Sequence, residues 1–172
     1  IGVTDVSLIA SAAYARAADL AARIPDVLDR DYDARNFRAL HKKIKRAYQR
    51  EFITATGRLA VNTQTAHILT LRFDLCEEEH RDRIANDLFR LIEENNDCLT
   101  TGSAGTPSVL SLLTSLGRHD LAARVLFRDD MPSWLYAVRH GATTIWERWD
   151  GIQPDGAFAN PEFNSFNHPL GS

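Results

Sequence analysis

Charge is distributed unevenly along this chain, and that unevenness limits its fold more than any single motif. Residues 31–51 carry 10 charged side chains and residues 77–94 carry another 10, whereas residues 59–71 and 98–117 carry none. An uncharged helix has to be buried nearly all round, while a charged one can show a face to water. Alternating coated and bare segments therefore read as consecutive helical hairpins, each with an inner and an outer member. That pattern suits a toroid of helix pairs or an α-solenoid, with a three-layer helical bundle as the plainer alternative. The bare segments are rich in Thr and Ser as well as Leu, which predicts walls bordering a polar cavity rather than a dry core.

Local signals place six helices. Val6, Ile9, Ala13, Ala17, Leu20, Ile24 and Val27 recur at steps of three and four and predict one buried face of a long helix that starts after Thr4. A second follows Asp31, with Phe37, Leu40, Ile44, Ala47 and Phe52 as its stripe. Asn62 or Thr63 can cap a third that runs to about Phe73. The acidic run at residues 77–79 suits the positive end of a fourth, which continues through Ile92. Thr106 as a cap, followed by Pro107 in the first turn, opens a fifth, with Gly117 as its stop, and Asp120 to Phe127 forms a sixth. After Pro132 the texture changes. Trp134, Tyr136, Trp146 and Trp149 gather within 16 residues, and the Thr, Ile and Trp content of residues 143–149 predicts a strand. Asp150-Gly151 ends it, and a long loop follows, pinned by Phe158, Phe163 and Phe166.

Composition excludes several function classes. With 44% hydrophobic and 25% charged residues over 172 positions, the chain is of ordinary globular type and about one domain in size. A formal net charge of −3 supplies no drive toward nucleic acid or anionic lipid. Lys42, Lys43, Lys45, Arg46 and Arg50 read as the solvated face of an outer helix rather than a nucleic-acid patch. The longest uncharged stretch, residues 98–117, holds 12 Ser, Thr, Gly or Pro among its 20 residues and would insert poorly into hydrocarbon, so no membrane span is expected. Cys76 and Cys98 lack any CxxC or Cys/His spacing and predict free thiols, with neither a metal site nor a cofactor. The chain opens at Ile1 and its one methionine is Met131, so an upstream part is expected to lie outside it. No signal peptide can be read, and a soluble chain, cytoplasmic in preference to secreted, is the expectation.

The chemistry-bearing residues cluster late. Glu147 stands between Trp146 and Trp149 in a segment poor in carboxylates, where an acid is either paired, to Arg139 or Arg148, or at work. Trp and Tyr rings beside carboxylates suit sugars, because a ring face stacks on the apolar side of a pyranose while the acids handle hydroxyls and the glycosidic bond. The alternative is that the rings plug one end of a helical barrel. His168, flanked by amides in Asn164-Ser165-Phe166-Asn167-His168, adds a neutral donor and acceptor.

The run Thr143-Thr144-Ile145-Trp146-Glu147-Arg148-Trp149-Asp150-Gly151, followed by residues 164–168, resembles the end of the catalytic domain of the inverting bacterial α-L-rhamnosidases. Asp5 with its helix, Thr63-Gln64-Thr65-Ala66, Leu99-Thr100-Thr101-Gly102, Gly105-Thr106-Pro107 and Pro132-Ser133-Trp134-Leu135-Tyr136 are similar to the same family. The resemblance implies an all-α chain of helical hairpins forming about half of an α/α six-hairpin toroid, with a short strand and an aromatic-pinned loop near its end. Residues 1–172 would be one partial domain, the second half of the toroid, with hairpins over 1–130 and the active-site strand and loop over 131–172. It further implies hydrolysis of terminal non-reducing α-L-rhamnose from a rhamnoside by inversion. Glu147 matches the family's general base and His168 a histidine that contacts the rhamnose. The general acid belongs to an earlier part of the domain, and no residue here matches it, so the missing N-terminal half is an expected partner and the chain alone is expected to be inactive. Asp150 is not offered as the acid, since on a strand it would face away from Glu147. Rival readings are another α/α-toroid carbohydrate enzyme, an epimerase or lyase with His67 as its candidate base, or a non-catalytic helical interaction module.

Overall fold

The structure, a computed structural model, describes residues 3–27, 31–160, 162 and 165–167. Seven helices account for its regular secondary structure: α1 (Val6–Val27), α2 (Asp31–Phe52), α3 (Gln64–Arg72), α4 (Glu78–Glu93), α5 (Thr106–Ser115), α6 (His119–Leu126) and α7 (Trp134–Arg139). They pair in order as α1 with α2, α3 with α4 and α5 with α6, and α3 packs between α1 and α5. The chain is thus a succession of three hairpins in two layers, with α1, α3 and α5 side by side in one layer and the charged helices in the other.

Each boundary has a local cause. Asp5 accepts the Ser7 and Leu8 amides at 2.7 and 3.3 Å and so caps α1, and a bond from the Ser7 hydroxyl, seconded by these two, holds its carboxyl below the usual range. Thr63 caps α3 by accepting the Ala66 amide at 3.2 Å. Glu78 and Glu79 occupy the first turn of α4, where the helix dipole favours them. Thr106 is the first residue of α5 rather than its cap, and its hydroxyl bonds the Gly102 carbonyl at 2.9 Å. Gly117, at φ +77°, ends α5 in the left-handed conformation, which lets the Arg118 amide reach the Leu113 carbonyl at 2.9 Å.

The α1 stripe expected from periodicity is not the one that is buried. The core face is Leu8, Ala12, Ala15, Ala18 and Ala22, while Val6 is 78% and Ile24 60% exposed, and Ala13, Ala17 and Leu20 also face out. Of the expected residues from Val6 to Ile24, only Ile9 packs against the core. Apolar residues lie on both sides of the Arg16-Asp19-Arg23 ion-pair stripe, so periodicity could not choose between the two faces. The alanine face won because small side chains let α1 approach its neighbours closely. On α2, Ile44 and Phe52 are buried and Leu40 packs against the core as expected, but Phe37 and Ala47 face out and Ala34 and Tyr48 are buried.

The bare helices need correction too. All of residues 64–71 on α3 are buried, and their polar groups bond inside the core rather than facing a cavity. Gln64 donates from Nε2 to the Cys98 and Leu91 carbonyls at 3.0 and 3.3 Å and accepts the Thr100 amide at 2.8 Å. Thr70 donates to the Ala66 carbonyl at 2.7 Å, and its Oγ1 lies 2.7 Å from the Tyr48 hydroxyl, whose pKa burial pushes up to about 12. Thr101 and Thr106, at the start of α5, do border a cavity. Cys76 is buried, which raises its thiol pKa, and Cys98 is half-buried.

Residues 143–149 form no strand. The only β pairs among the described residues are isolated bridges, Ile53 with Leu59 and Ile152 with Phe158. Threonine and tryptophan propensity favoured a strand there, but no neighbouring strand offers a ladder, and the backbone bonds to a loop instead. A helix, α7, also follows Pro132 where none was expected. Ser133 starts it by accepting the Tyr136 amide at 3.0 Å.

Candidate active site

A cavity of about 430 Å³ opens where the start of α5, the outer side of α7 and the loop 142–149 meet. Three tryptophans line it. Trp134 comes from the first turn of α7, and Trp146 and Trp149 come from the loop. Trp134 and Trp149 meet edge to face, with centroids 5.1 Å apart and planes at 81°. Trp149 donates its indole N–H to the Thr101 carbonyl at 2.9 Å, which ties the loop to the segment leading into α5. Thr101 and Thr106, whose hydroxyls are 2.8 Å apart, add polar groups to the wall, and Ala137, Val138, Ala142 and Ile145 complete its apolar part.

Every residue from 142 to 149 borders this cavity. On a strand, alternate residues would have pointed away, so the irregular backbone is what brings Trp146, Glu147 and Trp149 to one surface. Glu147 is half-buried, and it is the sole carboxylate among the described residues that line the cavity. Both arginines that could have neutralised it are engaged elsewhere. Arg139 pairs with Asp129, and Arg148 grips Asp150 through Nε and Nη2 at 2.9 and 3.1 Å. Among the described residues no cation lies within ion-pair distance of Glu147.

Asp150 does not line the cavity. The strand argument against it as an acid no longer applies, but Arg148 supplies a better one: its guanidinium holds the Asp150 carboxyl below the usual range, so Asp150 stays ionised. His168 lies outside the described residues, as does Phe163. The loop aromatics that are described do pin one another. Phe166 meets Trp146 edge-on at 5.4 Å, and Phe158 lies 5.8 Å from Phe166. Tyr136 fastens α7 to the same region by donating to the Ile152 carbonyl at 2.8 Å.

His67 is no base at this site. It is buried on α3, does not line the cavity, and its Nδ1 sits 2.8 Å from the Thr63 carbonyl; a carbonyl can only accept, so Nδ1 carries the proton. Burial lowers its pKa. Lys42, Lys43, Arg46 and Arg50 line an open depression on the solvent side of α2, and Lys45 pairs with Asp74 at 3.1 Å. No helix among the described residues is long and apolar enough to cross a membrane, and none of those residues form a group of three or more potential metal ligands. The cavity's contribution from Trp134 depends on α7, whose signal lay in Ser133 standing three residues ahead of Tyr136. Thr101 and Thr106 fall in the bare, Thr- and Ser-rich segment 98–117 that the sequence marks as a cavity wall, although nothing local singles out these two.

Known proteins with the same architecture give these features a context. The family model for the bacterial alpha-L-rhamnosidase 6 hairpin glycosidase domain matches residues 2–172. An alpha-L-rhamnosidase of Streptomyces avermitilis is 43% identical over 165 residues, which cover 96% of this chain and 16% of that protein. One from Formosa agariphila is 36% identical over 169 residues, 97% of this chain and 18% of its own length. The crystal structure of the Streptomyces avermitilis enzyme complexed with L-rhamnose superposes with a TM-score of 0.88 over 94% of this chain and 16% of that one. The native Aspergillus terreus enzyme gives 0.86 at 34% identity over 91% of this chain and 18% of that chain. The chain therefore spans less than a fifth of the relatives it matches, and its hairpins form part of an α/α toroid.

Proposed function

The chain belongs to the bacterial α-L-rhamnosidase six-hairpin glycosidase family, and from that premise we propose that the whole protein hydrolyses terminal non-reducing α-L-rhamnose from rhamnosides by an inverting mechanism. In this reading residues 1–172 are one part of the catalytic domain, the second half of the toroid. Residues 1–130 supply the hairpins, and 131–172 supply the active-site segment. Glu147 is the general base, and His168 contacts the sugar. The general acid and the rest of the sugar pocket come from the N-terminal half of the domain.

One observation carries this reading: a half-buried carboxylate that forms no ion pair with any described residue, on a cavity walled by three tryptophans. An ion-paired structural glutamate would have had Arg139 or Arg148 beside it, and both are spent on aspartates. The tryptophan faces suit the apolar side of a pyranose. The aliphatic wall suits a sugar whose sixth carbon is a methyl group.

The chemistry follows. The general acid protonates the glycosidic oxygen as its bond to the anomeric carbon breaks. A water on the opposite face attacks that carbon and gives its proton to Glu147, so the released sugar has the inverted configuration. The two carboxyl groups of such a pair stand roughly 6.5–9.5 Å apart, leaving room for the water. Asp150, close in sequence and bound to Arg148, is not placed to be the partner.

The test uses the whole protein and a nitrophenyl α-L-rhamnoside. Glu147→Gln keeps the shape of the side chain and removes its basicity, and the expected result is a loss of about 10²- to 10⁴-fold in kcat with an unchanged melting curve. Proton NMR of early turnover is expected to show the β-anomer of rhamnose first. Near-normal kcat in the variant would overturn the base assignment, and an α-anomer would overturn inversion.

A further inference from the structure

We propose that Phe166 is a positioning residue for Glu147, an assignment that rests on the general-base reading above. Residues 165 and 166 strap the loop that carries Glu147. The Ser165 carbonyl accepts the Glu147 amide at 2.9 Å, and the Phe166 carbonyl accepts the Thr144 hydroxyl. The Phe166 ring stands edge-on to Trp146 with planes at 82°. These attachments fall on both sides of residue 145, so they hold the backbone of Glu147 as well as its indole neighbour.

Gly151 closes the seat from the other side. A Cβ there would lie 3.3 Å from Cε1 of Phe166 and 3.5 Å from Cε3 of Trp146, closer than the ring could keep without shifting a few tenths of an ångström. The glycine thus lets the ring approach without crowding, and Phe158 backs it from 5.8 Å. Phe166 does not itself border the cavity. Its influence on the reaction runs through the loop, by setting where the carboxylate meets the attacking water, and not through contact with the sugar. An error in that placement costs transition-state stabilisation while leaving ground-state binding largely intact.

A double-mutant cycle in the whole protein separates this role from general support of the fold. Phe166→Leu keeps the apolar bulk but loses the ring edge, and it is expected to lower kcat about 10- to 100-fold with KM moved by less than about twofold. Phe166→Tyr keeps the ring and is expected to restore kcat. In a Glu147→Gln background nothing remains to be positioned, so Phe166→Leu should lower the residual rate by less than about twofold. If Phe166→Leu does not fold, Gly151→Ala crowds the ring from the opposite side and serves in the same cycle. An unchanged kcat in Phe166→Leu, or the same loss with and without Glu147, overturns the proposal. A normal rate in Glu147→Gln alone would instead remove the general-base reading, and that outcome is visible before Phe166 is touched.

Discussion

His67 illustrates how a single buried side chain sets a pH dependence. Burial favours the neutral form of its ring and outweighs the opposing bond to the Thr63 carbonyl and the charge of Asp87 on α4, where Arg90 acts in the same sense as burial, placing the folded-state pKa below the ordinary value of 6.5. The unfolded chain therefore binds this proton first. The stability that depends on a neutral His67 is fully present above about pH 6.5 and declines as pH falls through that value toward the folded-state pKa. His67→Gln, which does not titrate, is expected to melt with a shallower dependence on pH between about 7.5 and 5.5 than the parent protein. Parallel curves would show that the ring contributes nothing to acid sensitivity. Glu147 is the contrasting residue. Its oddity was legible in the sequence, an acid among indoles, but whether an arginine neutralised it was not. That was decided by Asp129 and Asp150, which draw Arg139 and Arg148 to themselves. Gln64 carried no such mark, yet it joins α3 to the end of α4 and to the segment before α5 through three hydrogen bonds.

Helix by helix, charge proved a better guide than periodicity. The uncharged residues 64–71 of α3 are all buried, and Arg72 at its end, like the charged faces of α2 and α4, is exposed, because burying an unpaired charge costs far more than exposing an apolar residue. Periodicity failed on α1 because apolar residues lie on both sides of its Arg16-Asp19-Arg23 stripe, so spacing alone does not tell the buried face from the exposed one. Its alanines decided the packing. Ala15→Leu, fully buried in that face, is expected to destabilise the protein by about 1–3 kcal/mol, measured by denaturant unfolding. Ala13→Leu on the exposed side should change it by less than about 0.5 kcal/mol. Between α4 and α6 the surface is joined by ion pairs: Arg118 and Arg124 both reach Glu93, at 2.6 and 3.0 Å, and both also hold Asp120. The loop 142–149 shows the reverse error, where strand-forming residues met no strand to pair with and their backbone turned to residue 165 instead.

For the molecule as a whole, the cavity has one carboxylate among the described residues that line it, and an inverting glycosidase needs two. The 172-residue chain by itself is therefore expected to release no nitrophenol from a nitrophenyl α-L-rhamnoside above the solvent background, since loss of a positioned acid alone removes about 10²- to 10⁴-fold in rate. Turnover by the chain alone would mean that the acid had been sought in the wrong place. The hairpin architecture, the approximate limits of α1 to α6 and the acid among tryptophans were determined by the sequence itself, because charge burial, capping and side-chain chemistry act over a few residues. The choice of face on α1, the course of residues 142–149 and the pairing of Arg139 and Arg148 with aspartates rather than with Glu147 were decided only in three dimensions. Each depends on which group, distant in sequence, arrives within bonding distance, and no local pattern encodes that.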